Sequence, residues 1–341
     1  YEPIIRSSAG LGRLSGKPDP DHYDKGFLHC DVLVIGAGPA GLAAALRAAR
    51  SGARVILADE DFAPGGLLTM ETYAVDGQEA ADWAARTTSE LAAMDNVRLM
   101  TRTCVYGAYD HGVYGALERK TDHLRDSGGK PRQVLWRIYS RRAVLCAGAT
   151  ERSIAFGNND RPGIMLAGSA RAYVNRWAAT PGKRVAVFTN NDDGWRTATD
   201  LAARGVEISA VVDSRDTAPL DAPAGALIAM GASVVDTKGR HGVRSLTLSN
   251  GQTIACDSLA VSGGWSPNVH LTCHQRGRPQ WRDDIAAFVP GSDLPVGMRV
   301  AGAANGALTL GAALRQGHDT AGDTLRDLGF KPVSYTHLTL P

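Results

Sequence analysis

The chain has 341 residues, of which 44% are hydrophobic and 21% charged, with 37 basic and 35 acidic side chains giving a formal net charge of +2. That length suits about two domains with sizeable cores, and the balanced charge exerts no overall pull toward nucleic acid or a membrane surface. No apolar run approaches the roughly 20 residues a membrane span needs, so neither nucleic acid nor membrane is an expected partner.

In chain order, residues 1–28 are rich in Gly, Pro and Asp, with one apolar patch at Ile4-Ile5. This is the composition of a lead-in linker along a domain surface, and Arg6, Arg13 and Lys17 are expected to be solvated. Asp31 to Glu60 then reads DVLVIGAGPAGLAAALRAARSGARVILADE. An apolar strand, Val32 to Ile35, runs into Gly36-Ala37-Gly38-Pro39-Ala40-Gly41, an Ala/Leu helix to about Arg50, and a second strand ending on Asp59. That spacing is the dinucleotide-binding fingerprint. Gly36 permits the sharp turn, Gly38 lets the backbone approach a pyrophosphate, and Gly41 allows close helix-to-strand packing. The helix N-terminus supplies N–H groups and a positive dipole end, and Asp59 can accept from an adenosine ribose.

Gln78 to Met94 predicts a second crossover helix and Val97 to Met100 a third parallel strand. Residues 105–109, 113–117 and 133–139 read as an antiparallel meander laid across the sheet, and residues 142–147 as a separate return to the parallel sheet. A second βαβ unit follows: helix 167–177, strand 183–188, helix 195–204 and strand 206–212 ended by Asp213. In place of glycines it carries Thr189-Asn190-Asn191-Asp192-Asp193, whose side chains and charge disfavour a bound dinucleotide. Residues 222–230 predict a helix, 232–235 a strand, and 243–248 with 253–256 a hairpin turning at Asn250-Gly251. Residues 298–301 form a closing strand, followed by Gly302-Ala303-Ala304-Asn305-Gly306 and a helix over about 308–316. The expected fold is therefore α/β. It has two Rossmann-like three-layer domains, 29–155 plus 290–330 and an inserted 156–289, with an antiparallel β-meander.

Cys30, Cys104, Cys146, Cys256 and Cys273 form no CxxC or CxxxxC pair, so neither a redox disulfide nor a zinc knuckle is encoded. Their scatter through strands fits buried thiols in a reducing compartment, and the cytoplasm is the expected location. Among the histidines, only His270 and His274 have helical i, i+4 spacing, but no helix is evident there, so no metal site is assigned. Residues 333–341 break the preceding pattern and look like the translation of a sequencing adapter. The first residue is Tyr1, so a preceding segment is expected.

The fingerprint, Gly65-Gly66 behind it and the strand-to-glycine turn at 144–149 resemble the two-dinucleotide-binding flavoprotein superfamily of glutathione and thioredoxin reductases. With Phe188-Thr-Asn-Asn-Asp192, Asn158-Asn-Asp-Arg-Pro-Gly163, Ser262-Gly-Gly-Trp-Ser-Pro267 and Ala301-Gly-Ala-Ala-Asn-Gly306, the chain looks like the α subunit of heterotetrameric sarcosine oxidase. The α subunits of opine and proline dehydrogenases and of cyanide synthase, or a self-sufficient FAD/NADH reductase, are the alternatives. The resemblance implies NAD in this chain, and FAD and FMN in the complex, carried mainly by the β subunit. It also implies β, γ and δ partner subunits, and tetrahydrofolate bound by a C-terminal part beyond this sequence. Flavin-binding members carry an Asp where Ala303 stands. By position, the nucleotide site would comprise Gly36, Gly38, Ala40 and Gly41 at the pyrophosphate, and Asp59 with Glu60 at the ribose. Gly66 and Leu67 would lie beside the cofactor, Val105 near the adenine, and Ala303 and Leu308 at the closing turn. No catalytic residue is implied.

Overall fold

Val32 to Ile35 bury both faces of a strand, which is the condition for the middle of a parallel sheet. In the computed structural model, which describes residues 1–333 except 11, 13–15 and 220, they end a 13-residue strand, β1 (Tyr23–Ile35). Arg13 and residues 334–341 lie outside the described residues. The strand starts at Tyr23, inside the expected linker, which also holds a short helix at Glu2–Ser8. Behind β1 come α1 (Pro39–Arg50), β2 (Val55–Ala58), α2 (Ala80–Ala92), β3 (Val97–Met100), β4 (Thr103–Tyr109) and β5 (Val113–Arg119). β6 (Gln133–Leu145) is one strand, not the two that were expected.

These strands form a single sheet in the order β3-β2-β1-β6-β5-β4. The meander is thus a lateral continuation of the parallel sheet, not a layer across it. The difference arises because β6 is antiparallel to β5 over residues 133–139 and parallel to β1 along its whole length. One apolar cluster lies between the sheet and its helices, around Leu42, Leu57, Trp83 and Leu314; another covers the opposite face, around Leu33, Ile56, Tyr114 and Ile138.

After β7 (Ala149–Glu151), a second parallel sheet is built from β8 (Ile164–Leu166), β9 (Arg184–Thr189), β10 (Glu207–Asp213), β11 (Leu227–Met230) and a later strand. Helices α3 (Ala167–Trp177) and α4 (Asp192–Ala203) connect them. The expected helix over 222–230 is corrected here to β11, which pairs parallel with β10. Pro223 and positive-φ glycines at Gly225 and Gly231 leave too few residues between them for a helix, but enough for an edge strand. β12 (Val234–Lys238), β13 (Ser245–Leu248) and β14 (Thr253–Ala255) form an antiparallel sheet, and β15 (Ser258–Ser262) completes the order β8-β15-β9-β10-β11. β16 (Trp265–Pro267) pairs antiparallel with β7, so the two crossings between the sheets run side by side. β17 (Met298–Val300) then returns to β6 of the first sheet, and the second Rossmann-like unit is an insertion in the first.

The units are joined by charge. Arg171 on α3, almost fully buried, lies 3.0 Å from Asp193, 3.6 Å from Glu71 and 3.9 Å from Asp200, while Arg176 holds Asp61 at 2.8 Å. At the crossing, Glu151 accepts the Gly168 N–H at 2.7 Å. Burial pushes this carboxyl from 4.5 up to about 7, with Asp193 adding to the shift and the Gly168 N–H, the Ser262 hydroxyl and Arg171 opposing it.

The last helix, α5 (Leu310–Asp327), runs well past the expected stop at Gln316. Gly317 does not end it but brings it against α1: a Cβ there would lie 2.1 Å from the Ala40 carbonyl oxygen. Gly317→Ala is therefore expected to cost about 2 kcal/mol in urea unfolding. Because Glu151 has a raised folded-state pKa, its contribution is present below about pH 4.5 and lost as pH rises through about 7. Between pH 5 and pH 8 the native chain should lose up to about 3 kcal/mol from this group, a slope that Glu151→Gln removes in pH-dependent unfolding curves.

Candidate nucleotide site

The turn between β1 and α1 is shaped by three steric demands. Gly36 has φ +98°, and a Cβ there would lie 2.3 Å from the Cys146 carbonyl oxygen at the end of β6; one on Gly41 would lie 1.8 Å from the Gly36 oxygen. A Cβ on Gly38, in contrast, meets nothing within 4 Å. The backbone is thus crowded on the sheet side and open outward at the position where the fingerprint brings in a pyrophosphate. Gly38 is the N-cap of α1, with no side-chain cap and no acidic residue in the first turn. The positive helix end is left for an external anion. These residues fit the phosphates of an adenine dinucleotide.

Asp59 ties the turn to β2. One of its oxygens accepts the Ala37 N–H at 2.5 Å and the other the Asp61 N–H at 2.8 Å. Burial raises its pKa and the two N–H groups lower it, the net being upward; each oxygen keeps a lone pair for a further donor. The Gly65 N–H bonds the Ala37 carbonyl at 2.8 Å, and Gly66 closes on Gly38, where its Cβ would sit 3.0 Å from the Gly38 Cα. From the other end of the chain, Gly302 (φ +75°) meets Ala40: a Cβ on Gly302 would be 2.7 Å from the Ala40 Cβ. Its N–H is held by Gln316 Oε1 at 2.8 Å. The structure therefore brings together Gly36, Gly38, Ala40, Gly41, Asp59 and Gly66, with Leu67 and Ala303 half-buried next to Gly66 and Gly302. Val105 sits in the core cluster with Ala58 and Met100, while Glu60 and Leu308 are exposed. Gly65, Gly302 and Gln316 were missed by the sequence reading; the glycines stood in motifs already quoted, but nothing in the sequence pairs Gln316 with the turn.

The matching turn of the second unit is filled by its own side chains. Asn191 caps α4 by accepting the Asp193 N–H at 3.0 Å and donates to the Ser262 carbonyl at 3.0 Å. Asp192 pairs with Arg215 at 2.7 Å. Asp213, at the strand end that corresponds to Asp59, is fully buried and accepts from Trp195 Nε1 at 2.7 Å and from Arg215. Gly194 keeps the third-glycine role, since a Cβ there would lie 2.4 Å from the Thr189 Cβ.

The cysteines depart from the expected pattern: Cys30, Cys146 and Cys256 are buried, but Cys104 is exposed and Cys273 half-buried. Cys146, beside the turn, is pushed up to about 12 by burial and stays a thiol. His274 Nδ1 accepts the Ala108 N–H at 3.3 Å, and no group of three or more potential ligands able to hold a metal occurs among the described residues. No helix among them is long and apolar enough to cross a membrane.

The FAD dependent oxidoreductase family matches residues 31–120, the segment that contains this turn. Sarcosine oxidase subunit alpha of Rhizobium meliloti (strain 1021) is 47% identical over 96% of the chain, and that of Corynebacterium sp. (strain P-1) is 40% identical over 97%. The chain spans about a third of those proteins' length, 34% and 36% respectively. Among solved structures, L-proline dehydrogenase from P. horikoshii superposes with a TM-score of 0.74 at 21% identity, over 94% of this chain and 59% of that one. That likeness bears on the fold, a Rossmann-like α/β architecture. Over the stretch it shares with them, the chain is similar to the sarcosine oxidase alpha subunits along nearly its whole length.

Proposed function

We propose that this chain is the NAD-binding part of the α subunit of a multi-subunit flavoprotein sarcosine oxidase. Gly36, Gly38, Ala40 and Gly41 would hold the pyrophosphate, and Asp59 with Glu60 the adenosine ribose. Gly66 and Leu67 would flank the cofactor, Val105 would lie toward the adenine, and Ala303 and Leu308 would close the turn. The domain limits are 29–155 plus 290–330 and 156–289. The observation that carries the reading is the contrast between the two turns. The first has an uncapped helix end and open space at Gly38, whereas the second is closed by Asn191, Asp192 and Asp213. One dinucleotide per chain is the consequence.

Bound NAD supplies a hydride-accepting nicotinamide. The chain's own part is to bind and orient it: the turn donates N–H groups and a dipole end to the phosphates, and Asp59 accepts from the ribose. Cys146 remains protonated, and no cysteine pair lies at the turn, so the role assigned to this part of the subunit is to hold the nucleotide. The whole cytoplasmic assembly, with β, γ and δ chains, FAD and FMN, would convert sarcosine, oxygen and tetrahydrofolate to glycine, methylene-tetrahydrofolate and hydrogen peroxide. A second reading, FAD at the same turn, is favoured by the family matched over residues 31–120. Ala303, at the position where flavin-binding members carry an Asp, speaks for NAD.

Mass spectrometry of the nucleotide released from denatured full-length protein decides between them: NAD is expected, and FAD or no nucleotide refutes the assignment. Gly38→Val should lose the nucleotide while keeping the native fold, since its side chain enters open space. Gly36→Val, driven into the Cys146 carbonyl, should fail to fold. Full occupancy in Gly38→Val would show that the ligand sits elsewhere.

A further inference from the structure

The lower half of the first sheet, where β1, β6, β5 and β4 lie side by side, has one face in the core and one in solvent. Its registers set Tyr109, Val113, Tyr139 and His29 in one row across the four strands, and Cys104, Leu117, Leu135 and Lys25 in another. Between them lie Gly107, Gly115, Arg137 and Phe27. The neighbouring rows on the other face, such as Ala108, Tyr114, Ile138 and Leu28, belong to the apolar core. The outer face is apolar too. Phe27 is 58% exposed, Tyr109 51% and Leu135 43%, with Tyr106 and Tyr139 also exposed. Gly115 and Gly107 leave room for rings to lie over the strands: a Cβ on Gly115 would be 2.6 Å from the Tyr106 ring, and one on Gly107 2.7 Å from the Tyr109 ring. His29 stacks on Tyr139 with centroids 5.0 Å apart.

The middle of this face is basic, while at its far edge the Glu60 carboxylate acts on Cys104. Arg137 stands 5.8 Å over the Phe27 ring, with Lys25 one row below and Arg119 in the row beyond. No carboxylate occupies these rows. Asp31, at the upper edge, is already paired with Arg54 and Arg141. A contiguous exposed apolar patch marks an interaction site. Tyr, Phe and Arg beside aliphatic residues, with no carboxylate in the central rows, is the composition of a protein–protein interface centre. Single-stranded nucleic acid would use rings free to stack on bases, whereas here two rings lie over glycines and Val113, Leu117 and Leu135 stand between the aromatic positions.

We propose that this face docks a partner polypeptide whose surface is apolar at its centre and carries carboxylates at its rim, opposite Arg137 and Lys25. It is separate from the nucleotide turn, because Phe27 precedes Gly36 by nine residues of extended chain, about 30 Å.

The test uses the full-length protein in its native assembly, with the photo-crosslinking residue p-benzoyl-phenylalanine in place of Tyr139, irradiated in cells and mapped by mass spectrometry. The expected product is a cross-link to an apolar segment of a different polypeptide with Asp or Glu within a few residues. Arg137→Glu in the same background should lower its yield about tenfold, with circular dichroism unchanged. A cross-link only to a second copy of this chain, to a remote part of the same chain or to nucleic acid overturns the proposal. So does the absence of any cross-link, or a yield indifferent to Arg137→Glu. Nucleotide content measured on the same samples reports separately on the dinucleotide reading, since both substituted positions lie far from Gly38.

Discussion

Twelve backbone pairs between β1 and β6 form the spine on which the other parts depend. Their upper four, from Val32 to Ile35 against Arg142 to Leu145, carry side chains that are buried on both faces except at Arg142, and set the height at which both strands end. The Gly36 turn can then exist only because Cys146 stands directly beside it, and the same strand end receives β17. Below, the pairing continues through residues 23–30 and carries β5 and β4 with it. The sheet thus forks on β6, with one branch parallel and one antiparallel. One long ladder therefore supplies both the nucleotide turn at its upper end and the aromatic face at its lower end.

The two Rossmann-like units show what a shared topology does and does not specify. Both keep a glycine where helix meets strand, because that contact is steric and has no other solution. They differ in what sits on the helix N-terminus. In the first, the dipole end is bare; in the second, Asn191 satisfies the amide of Asp193, and Asp192 and Asp193 supply the negative charge from within. The acid at the end of the second strand diverges in the same way: Asp59 bridges two backbone amides, whereas Asp213 is consumed by Trp195 and Arg215. A fold that builds anion sites at its switch points can close one of them by placing its own carboxylates there.

The parts legible in the sequence were those governed by steric exclusion at short range. Gly36, Gly38 and Gly41 each answer a constraint within a few residues, and the α3 range, 167–177, came directly from its spacing. What was not legible depends on partners far away in the chain. Residues 23–28 look like linker because every other side chain is polar or exposed, and only the ladder with β6 makes them a strand. Residues 227–230 have Ala and Met, good helix formers, but β10 offers an edge and two glycines set the length. Gly317 reads as a helix breaker until Ala40 is seen against it. Of the site residues, Val105 and Leu308 occupy a core and an exposed position respectively, which spacing alone could not distinguish.

The discontinuity of the first unit has a consequence for biosynthesis. Its closing elements, β17 and α5, are encoded after the whole inserted unit, yet Gly302 and Gly317 press directly on Ala40 at the base of the anion-binding turn. As the polypeptide leaves the ribosome, residues 31–151 must wait, with the flank of α1 bare, while more than a hundred further residues emerge and organise. The surroundings of the Gly38 turn are thus among the last features to be finished, and an intact turn implies that the entire span has been made.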